Sequence, residues 1–380
     1  MPPVIALDHG PGGRAALFTR PSAVLLAWTR AEVADVLDRA EAARRAGQWV
    51  AGYIAYEAGY AFEPRLSGIT HHDPRAPLVA LGVFDAPGPA APFLEQADAQ
   101  SSSLSPILPR ITRGDYAQSF SRLMDYIAAG DCYQANLTFP LAAQLVSGSA
   151  AGLYGALRAR QSVGFGAYLD LGAGPVVLSC SPELFFTLQD GVVESRPMKG
   201  TAPRGATPDA DRALRDGLAT SEKVQAENLM IVDLLRNDIA RISEVGSVKV
   251  PELFEIDSFA TVHQMSSRIR GRLRANLGLT EIMAALFPCG SVTGAPKIRA
   301  MQIIAELERT PRSVYCGAIG WAGPDGDQAW SVAIRTLRLF EGGAIEGNVG
   351  GGIVQDSTEA GEWEEALWKT RFATGLRRAA

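Results

Sequence analysis

The sequence predicts an α+β protein built on large, mostly antiparallel sheets. Strand-like runs outnumber the connections that a regular βαβ series would use. No Gly-x-Gly-x-x-Gly follows a first strand, so a doubly wound dinucleotide fold is not expected. Short turn signals join successive strand runs: PVVLSCSPELFFTL and GVVESRPM flank Gln189-Asp190-Gly191, as the arms of a hairpin would.

The elements follow in order. AEVADVLDRAEAARRAGQ reads as an Ala-rich helix ending near Gly47, and WVAGYIAYEAGYAF as strand and turn. Residues 86–109 are rich in Pro, Ala and Ser and read as a linker or exposed loop. This divides the chain into an N-terminal segment, residues 1–110, and a denser region, 111–380. RGDYAQSFSRLMDYIAAGD is an amphipathic helix, and SEKVQAENLMIVDLLRNDIARI is a longer one. Strands are expected at SVKV, FATVHQMSSRIRG, YCGAIGWA, WSVAIRTLRLF and GGIVQDS, with helices at PKIRAMQIIAELE and GEWEEALWKTRFATGL.

Composition narrows the function classes. The 380 residues are 47% hydrophobic and 20% charged with net charge −5, a folded protein with no signature of nucleic-acid or anionic-membrane binding. The basic run Arg268 to Arg274 places its four Arg at alternate positions. They share one strand face, read as solvated, with docking of a partner protein as the alternative. Four dispersed cysteines without C-x-x-C fit a reducing cytoplasm rather than a zinc site or disulfide framework. No run approaches transmembrane length.

Several residues sit where ordinary packing would not place them. Glu227 shares a helical stripe with Met230, Ile231 and Leu234. A carboxylate there needs a partner, either Arg236 or Arg241, or a ligand. Glu362, Glu365 and Lys369 share one face of the C-terminal helix, whose Trp363, Leu367 and Trp368 make it apolar on other sides and predict burial. A Glu365–Lys369 surface pair is one reading. Carboxylates from both helices meeting in a pocket that holds Mg²⁺ is the other.

PCGSVTGAPKIRA lacks the Gly-Lys-Ser/Thr of a phosphate loop. Its small residues before Pro296, with the Thr293 hydroxyl, leave free N–H groups at a helix start that suits a carboxylate. Three glycines, Gly350 to Gly352, permit close approach of a ligand or form a tight bend. Arg335 on an apolar strand face calls for a buried anion. His263 reads as a core residue or a pocket residue. Gln134 is a neutral amide on a buried strand. Burial of Glu183 would raise its pKa and make it a general acid. Lys199, between Met198 and Gly200, is either a surface ammonium or a desolvated nucleophile.

Together SPELFF, KGTAPRG, AENLMIVDLLRND, GSVTGAPKIRAMQII, YCGAIGW, AIRTL, GGGIVQDS and the closing E-x-x-E-x-x-x-K resemble the chorismate-utilising enzymes, over residues 111 to 380. The resemblance implies an anthranilate synthase component I-like fold, a two-sheet β-sandwich flanked by helices to which residues 1–110 also contribute. It implies that Glu227 and Glu365, with Glu362 nearby, hold Mg²⁺ against the ring carboxylate of chorismate. Arg335 and Tyr315 would take the enolpyruvyl carboxylate. Thr293, Thr201, Gly350, Gly351, His263, Lys369 and Gln134 would line the pocket, and Glu183 would protonate the departing C4 hydroxyl.

Two positions discriminate within the family. Water-using members resemble one another in carrying a Lys base where this chain has Gln134, so ammonia is the expected nucleophile. Anthranilate-forming members carry a small residue before Gly-Thr, and this chain carries Lys199, as members that aminate C4 do. Lys199 is therefore expected to form a covalent intermediate on the way to 4-amino-4-deoxychorismate, for 4-aminobenzoate and folate synthesis. No Gly-x-Cys-x-Gly elbow is present, so a glutamine amidotransferase partner would supply ammonia. The alternatives are anthranilate formation and a non-catalytic chorismate-binding subunit. Cys289 stands where a smaller residue is usual, beside the substrate loop.

Overall fold

A computed structural model of the chain describes residues 2–161, 164–259 and 262–376. Its strands assemble into two sheets, of eleven and ten strands, whose pairings among the described residues are all antiparallel. Inward-facing residues of both sheets, among them Ile5, Phe18, Tyr53, Leu169, Val177 and Ile319, form the core between them. Helices cover the outer faces. Arg30–Arg45, Glu222–Ala240 and Leu279–Leu286 pack on the second sheet. Arg113–Ala128, Lys297–Leu307 and Glu359–Trp368 pack on one end of the first, and Ala91–Asp98 and Ala150–Arg160 on the other. Among the described residues no helix is long and apolar enough to cross a membrane.

Residues before 110 share both sheets with the rest. Val4–Leu7 pairs with Phe165–Asp170 in the first, and Trp49–Ile54 with Ala318–Ala322 in the second. The stretch 86–109 is not a plain tether. It contains the helix Ala91–Asp98, whose Leu94 and Ala97 are buried, because its alanines pack on Ala150–Arg160.

Three expected strands are broken. PVVLSCSPELFFTL divides at Pro182-Glu183: Val176–Ser181 belongs to the first sheet and Leu184–Gln189 to the second. WSVAIRTLRLF divides likewise, with Gln328–Val332 in the second sheet, Thr336–Leu339 in the first, and Arg335 at φ 51 in the corner. GVVESRPM divides at Arg196-Pro197 into Val192–Ser195 and Met198–Pro203, which both pair with Val262–Arg272. The hairpin at Asp190-Gly191 is present, with positive φ at both residues, 50° and 73°. The glycines 350–352 lie inside the ten-residue strand Ala344–Ile353 rather than at a bend. Helix Glu359–Trp368 ends earlier than expected and leaves Trp368 57% exposed; Trp363 makes its core contact, stacked 4.7 Å from Phe139. The arginine face is solvent-side and paired across strands, Arg268 with Glu252 at 3.1 Å and Arg270 with Glu194.

One buried cation ties the layers together. Arg312 is 1% exposed and stacks 4.6 Å over Tyr56. It donates to both oxygens of Glu308, at 2.7 and 2.8 Å, to the Val292 carbonyl at 2.8 Å, and to the Asn136 carbonyl. Glu308 in turn accepts the Thr138 N–H at 2.8 Å. Removing one member of a buried, fully bonded pair leaves an uncompensated charge. Arg312→Met is therefore expected to lose about 3–5 kcal/mol in urea denaturation, and adding Glu308→Leu to recover part of it.

Candidate active site

The two sheet-to-sheet corners lie side by side. Val332 N–H donates to the Glu183 carbonyl at 3.0 Å, the Ser181 hydroxyl donates to the Val332 carbonyl at 2.6 Å, and Cys180 N–H donates to the Arg335 carbonyl at 3.0 Å. Glu183 and Arg335 therefore open into one cavity of about 170 Å³, also lined by Lys199, Ser291, Tyr315 and Lys369. Among the described residues the Arg335 guanidinium has no ion pair, so it faces the cavity as a free cation.

Glu183 is buried, and its Oε1 has no hydrogen-bond partner among the described residues. Burial pushes its pKa up; a Ser291 hydrogen bond and the charges of Lys199 and Arg335 act against that. The carboxyl is held toward its protonated, donating form.

Lys199 lies on the strand Met198–Pro203, opposite Met265. The ladder slips between Lys199 and Thr201, where Gly200 takes φ +77. A Cβ at Gly200 would sit 2.3 Å from Val224, so only glycine lets this strand press against helix Glu222–Ala240. The half-buried ammonium loses hydration, which lowers its pKa. Glu183 and Glu227 counter this, and the Lys369 charge adds to it. Both shifts favour neutral groups, an amine beside a carboxylic acid.

The acids come from two capped helices. Ser221 accepts from Val224 N–H at the start of one, and Thr358 from Gly361 N–H at the start of the other. The arginines that a bland reading pairs with Glu227 are engaged elsewhere, Arg236 with Asp233 at 3.4 Å and Arg241 with the Ala285 carbonyl at 3.2 Å. At Gly351 a Cβ would lie 3.0 Å from Glu362 Oε2 and 3.5 Å from Lys369 Nζ, so the helix docks on bare backbone. Lys369 bridges Glu365 at 2.9 Å and the Gly350 carbonyl at 2.8 Å. Glu362 accepts from Ser357 at 2.7 Å, and burial raises its pKa, with Glu365 and Glu227 adding to the rise. Carboxylate oxygens that repel one another suit a hard divalent cation such as Mg²⁺. Among the described residues no three acidic, His or Cys side chains are already gathered into a cage.

The cavity lining does not include Glu227, Glu362 or Glu365, and other expected residues also lie outside it. The Thr293 hydroxyl turns back to the Cys289 and Gly290 carbonyls, both at 3.3 Å. His263 is 1% exposed between Ser258, 2.8 Å from Nδ1, and Asp211, 3.0 Å from Nε2. Thr201 points to solvent. Gln134 is buried behind the glycines; its Nε2 lacks a partner among the described residues and lies 2.6 Å from where a Cβ on Gly352 would stand. The Cys289 thiol, 3.2 Å from the Ser291 hydroxyl, is pushed up to about 12 by burial and Glu183, and so is inert. Sequence reasoning missed Asn136 and Asn348. Period two from Gly350 would have found Asn348 on the cavity face, and Asn136 sits there by pairing opposite Gly352. Ser291 and the Arg312 pair carried no periodic signal.

Residues 90–375 match the family described as chorismate binding enzyme, and the chain belongs to that family. It is 41% identical over 304 residues to aminodeoxychorismate synthase component 1 of Klebsiella aerogenes, covering 80% of this chain and 65% of that one. It is 42% identical over 262 residues to anthranilate synthase component 1 of Pseudomonas aeruginosa, covering 68% and 52%. The chain thus spans less than two thirds of the length of either relative. Its fold matches the crystal structure of anthranilate synthase component I from Streptococcus pneumoniae at TM-score 0.77 and 26% identity, over 99% of this chain and 91% of that one.

The electrostatics predict a signed change. In its ionised form Glu183 stabilises the Lys199 ammonium, so Glu183→Gln should move the pH midpoint of Lys199 acylation, read by peptide mass spectrometry, to lower pH. An upward shift would contradict the assigned proximity.

Proposed function

We propose that this chain aminates chorismate at C4, the chemistry of an aminodeoxychorismate synthase component 1, with ammonia supplied by a glutamine amidotransferase partner. The observation that carries the reading is Lys199, desolvated and within the field of Glu183 and Glu227 in a cavity that also holds Arg335, which has no ion pair among the described residues. The similarity to named synthases supports it. Four free, buried cysteines support a reducing cytoplasm.

Chorismate is a dianion, and the cavity offers Arg335 and Tyr315 for its enolpyruvyl carboxylate. Glu227, Glu362 and Glu365 would hold Mg²⁺, which when bound supplies positive charge for the ring carboxylate. The neutral Lys199 amine adds at C2. The ring diene electrons shift toward C4, and the C4 hydroxyl leaves as water with the proton of Glu183. Lys199 sheds its extra proton. Ammonia then adds at C4, the electrons return, and the C2–N bond breaks as Lys199 recovers a proton. The net change is chorismate plus ammonia to 4-amino-4-deoxychorismate plus water, with the enolpyruvyl ether retained.

A free Lys is neutral about once in a thousand molecules near pH 7.4, so desolvation is what makes this nucleophile available. Incubation with chorismate, Mg²⁺ and ammonium should yield the aminated ether without pyruvate. Direct anthranilate fluorescence with pyruvate release would instead establish the anthranilate reading. Glu183→Gln should lower kcat by about 10²–10⁴, the range of general-acid catalysis. Glu227→Ala should raise the Mg²⁺ concentration needed for half-maximal rate; an unchanged titration would remove Glu227 from the metal set.

A further inference from the structure

Lys297 belongs to no phosphate loop, and the proposed chemistry makes no use of it. Yet its side chain is only 14% exposed, and its ammonium lies 2.6 Å from Asp238 Oδ2, on a side chain 6% exposed. It also donates to the Leu286 carbonyl at 2.8 Å. Such a pair is weak grounds for stability, because desolvation of both charges offsets their attraction. Its position suggests another use. Asp238 follows Glu227 by eleven residues on helix Glu222–Ala240, close to three whole turns, so Glu227, Ile231, Leu234 and Asp238 form one stripe. Lys297 is the first residue of the helix that follows the cavity loop.

Between these points Leu234 packs over that loop at Gly290, where a Cβ would fall 1.9 Å from Leu234 Cδ2. The same loop carries Ser291 and Val292 into the cavity. The stripe is thus pinned to the loop by an ion pair at one end and a close contact in the middle. A slip of one residue would rotate the helix by about 100° and carry Glu227 away from Lys199.

We propose that the buried Lys297–Asp238 pair is a positioning device that sets the rotation of the acid-bearing helix against the cavity loop, so that Glu227, one turn beyond the Val224 contact with Gly200, stays near Lys199 and Ser291 faces the cavity. The inference rests on the reading of that cavity as a chorismate-aminating site.

The test compares wild type with Lys297→Met, Lys297→Arg and the neutral double Asp238→Asn/Lys297→Gln, scored per folded molecule from circular dichroism and thermal melting. The double leaves no unpaired buried charge, so it keeps the test open if Lys297→Met fails to fold. A displaced catalytic arrangement costs on the order of 100-fold. The expected result is a fall of about that size in kcat for Lys297→Met and the double, with Lys297→Arg restoring most of the rate. A folded double that turns over at the wild-type rate would overturn the proposal and leave the pair a packing feature. Failure of the wild type to aminate chorismate would instead defeat the reading on which it rests.

Discussion

The structure depends on two places where the chain leaves one sheet for the other. Backbone polar groups at such corners fall outside both ladders and need partners. Here they find one another: Val332 N–H meets the Glu183 carbonyl, Ser181 bridges to Val332, and Cys180 N–H meets the Arg335 carbonyl. The lacing forces the two corners together. Each corner residue then projects an ionisable side chain between the sheets, an acid from one and a guanidinium from the other. The positive φ of Arg335 is a local strain of the kind that persists only where the surroundings over-determine it.

Around this seam the sandwich maintains an uneven distribution of charge. Arg312 is fully bonded and acts as a structural bolt, whereas Arg335, Lys199 and Glu183 are left short of partners among the described residues. The two settings explain why the buried Arg312 reads as architecture and the half-buried Arg335 as a binding group. Desolvation drives Lys199 and Glu183 toward their neutral forms, which is the protonation state that nucleophilic addition with acid-assisted departure of a hydroxyl requires. The Glu227 field opposes this at Lys199, so a cation at the acids would act in the same direction as burial.

Much of this was legible in the sequence, and what was not has physical causes. The acids stood out because Glu227, Glu362 and Glu365 sit at helical spacings that burial explains badly, and Gly351 does mark a close approach, of the C-terminal helix, while the one at Gly200 carried no signal. The corners were hidden because strand-like apolar runs lie close on both sides of Ser181–Leu184 and Val332–Thr336, and hydrophobic periodicity does not record a change of sheet. Residues 86–109 looked like a linker by composition, yet alanines that mark an exposed loop also fill a tight helix interface. His263 and Thr293 are satisfied by hydrogen bonds with Asp211 and Ser258 and by donation to nearby carbonyls, partners that no spacing rule pairs with them.

The central claim is that an uncharged Lys199 amine bonds covalently to chorismate. Rapid acid quench of the enzyme with chorismate and Mg²⁺ but without ammonia, followed by peptide mass spectrometry, tests it most directly. The account predicts a mass increase of chorismate less water, confined to the peptide bearing Lys199. An adduct on a different residue, or aminated product formed at the wild-type rate by Lys199→Ala, would contradict it.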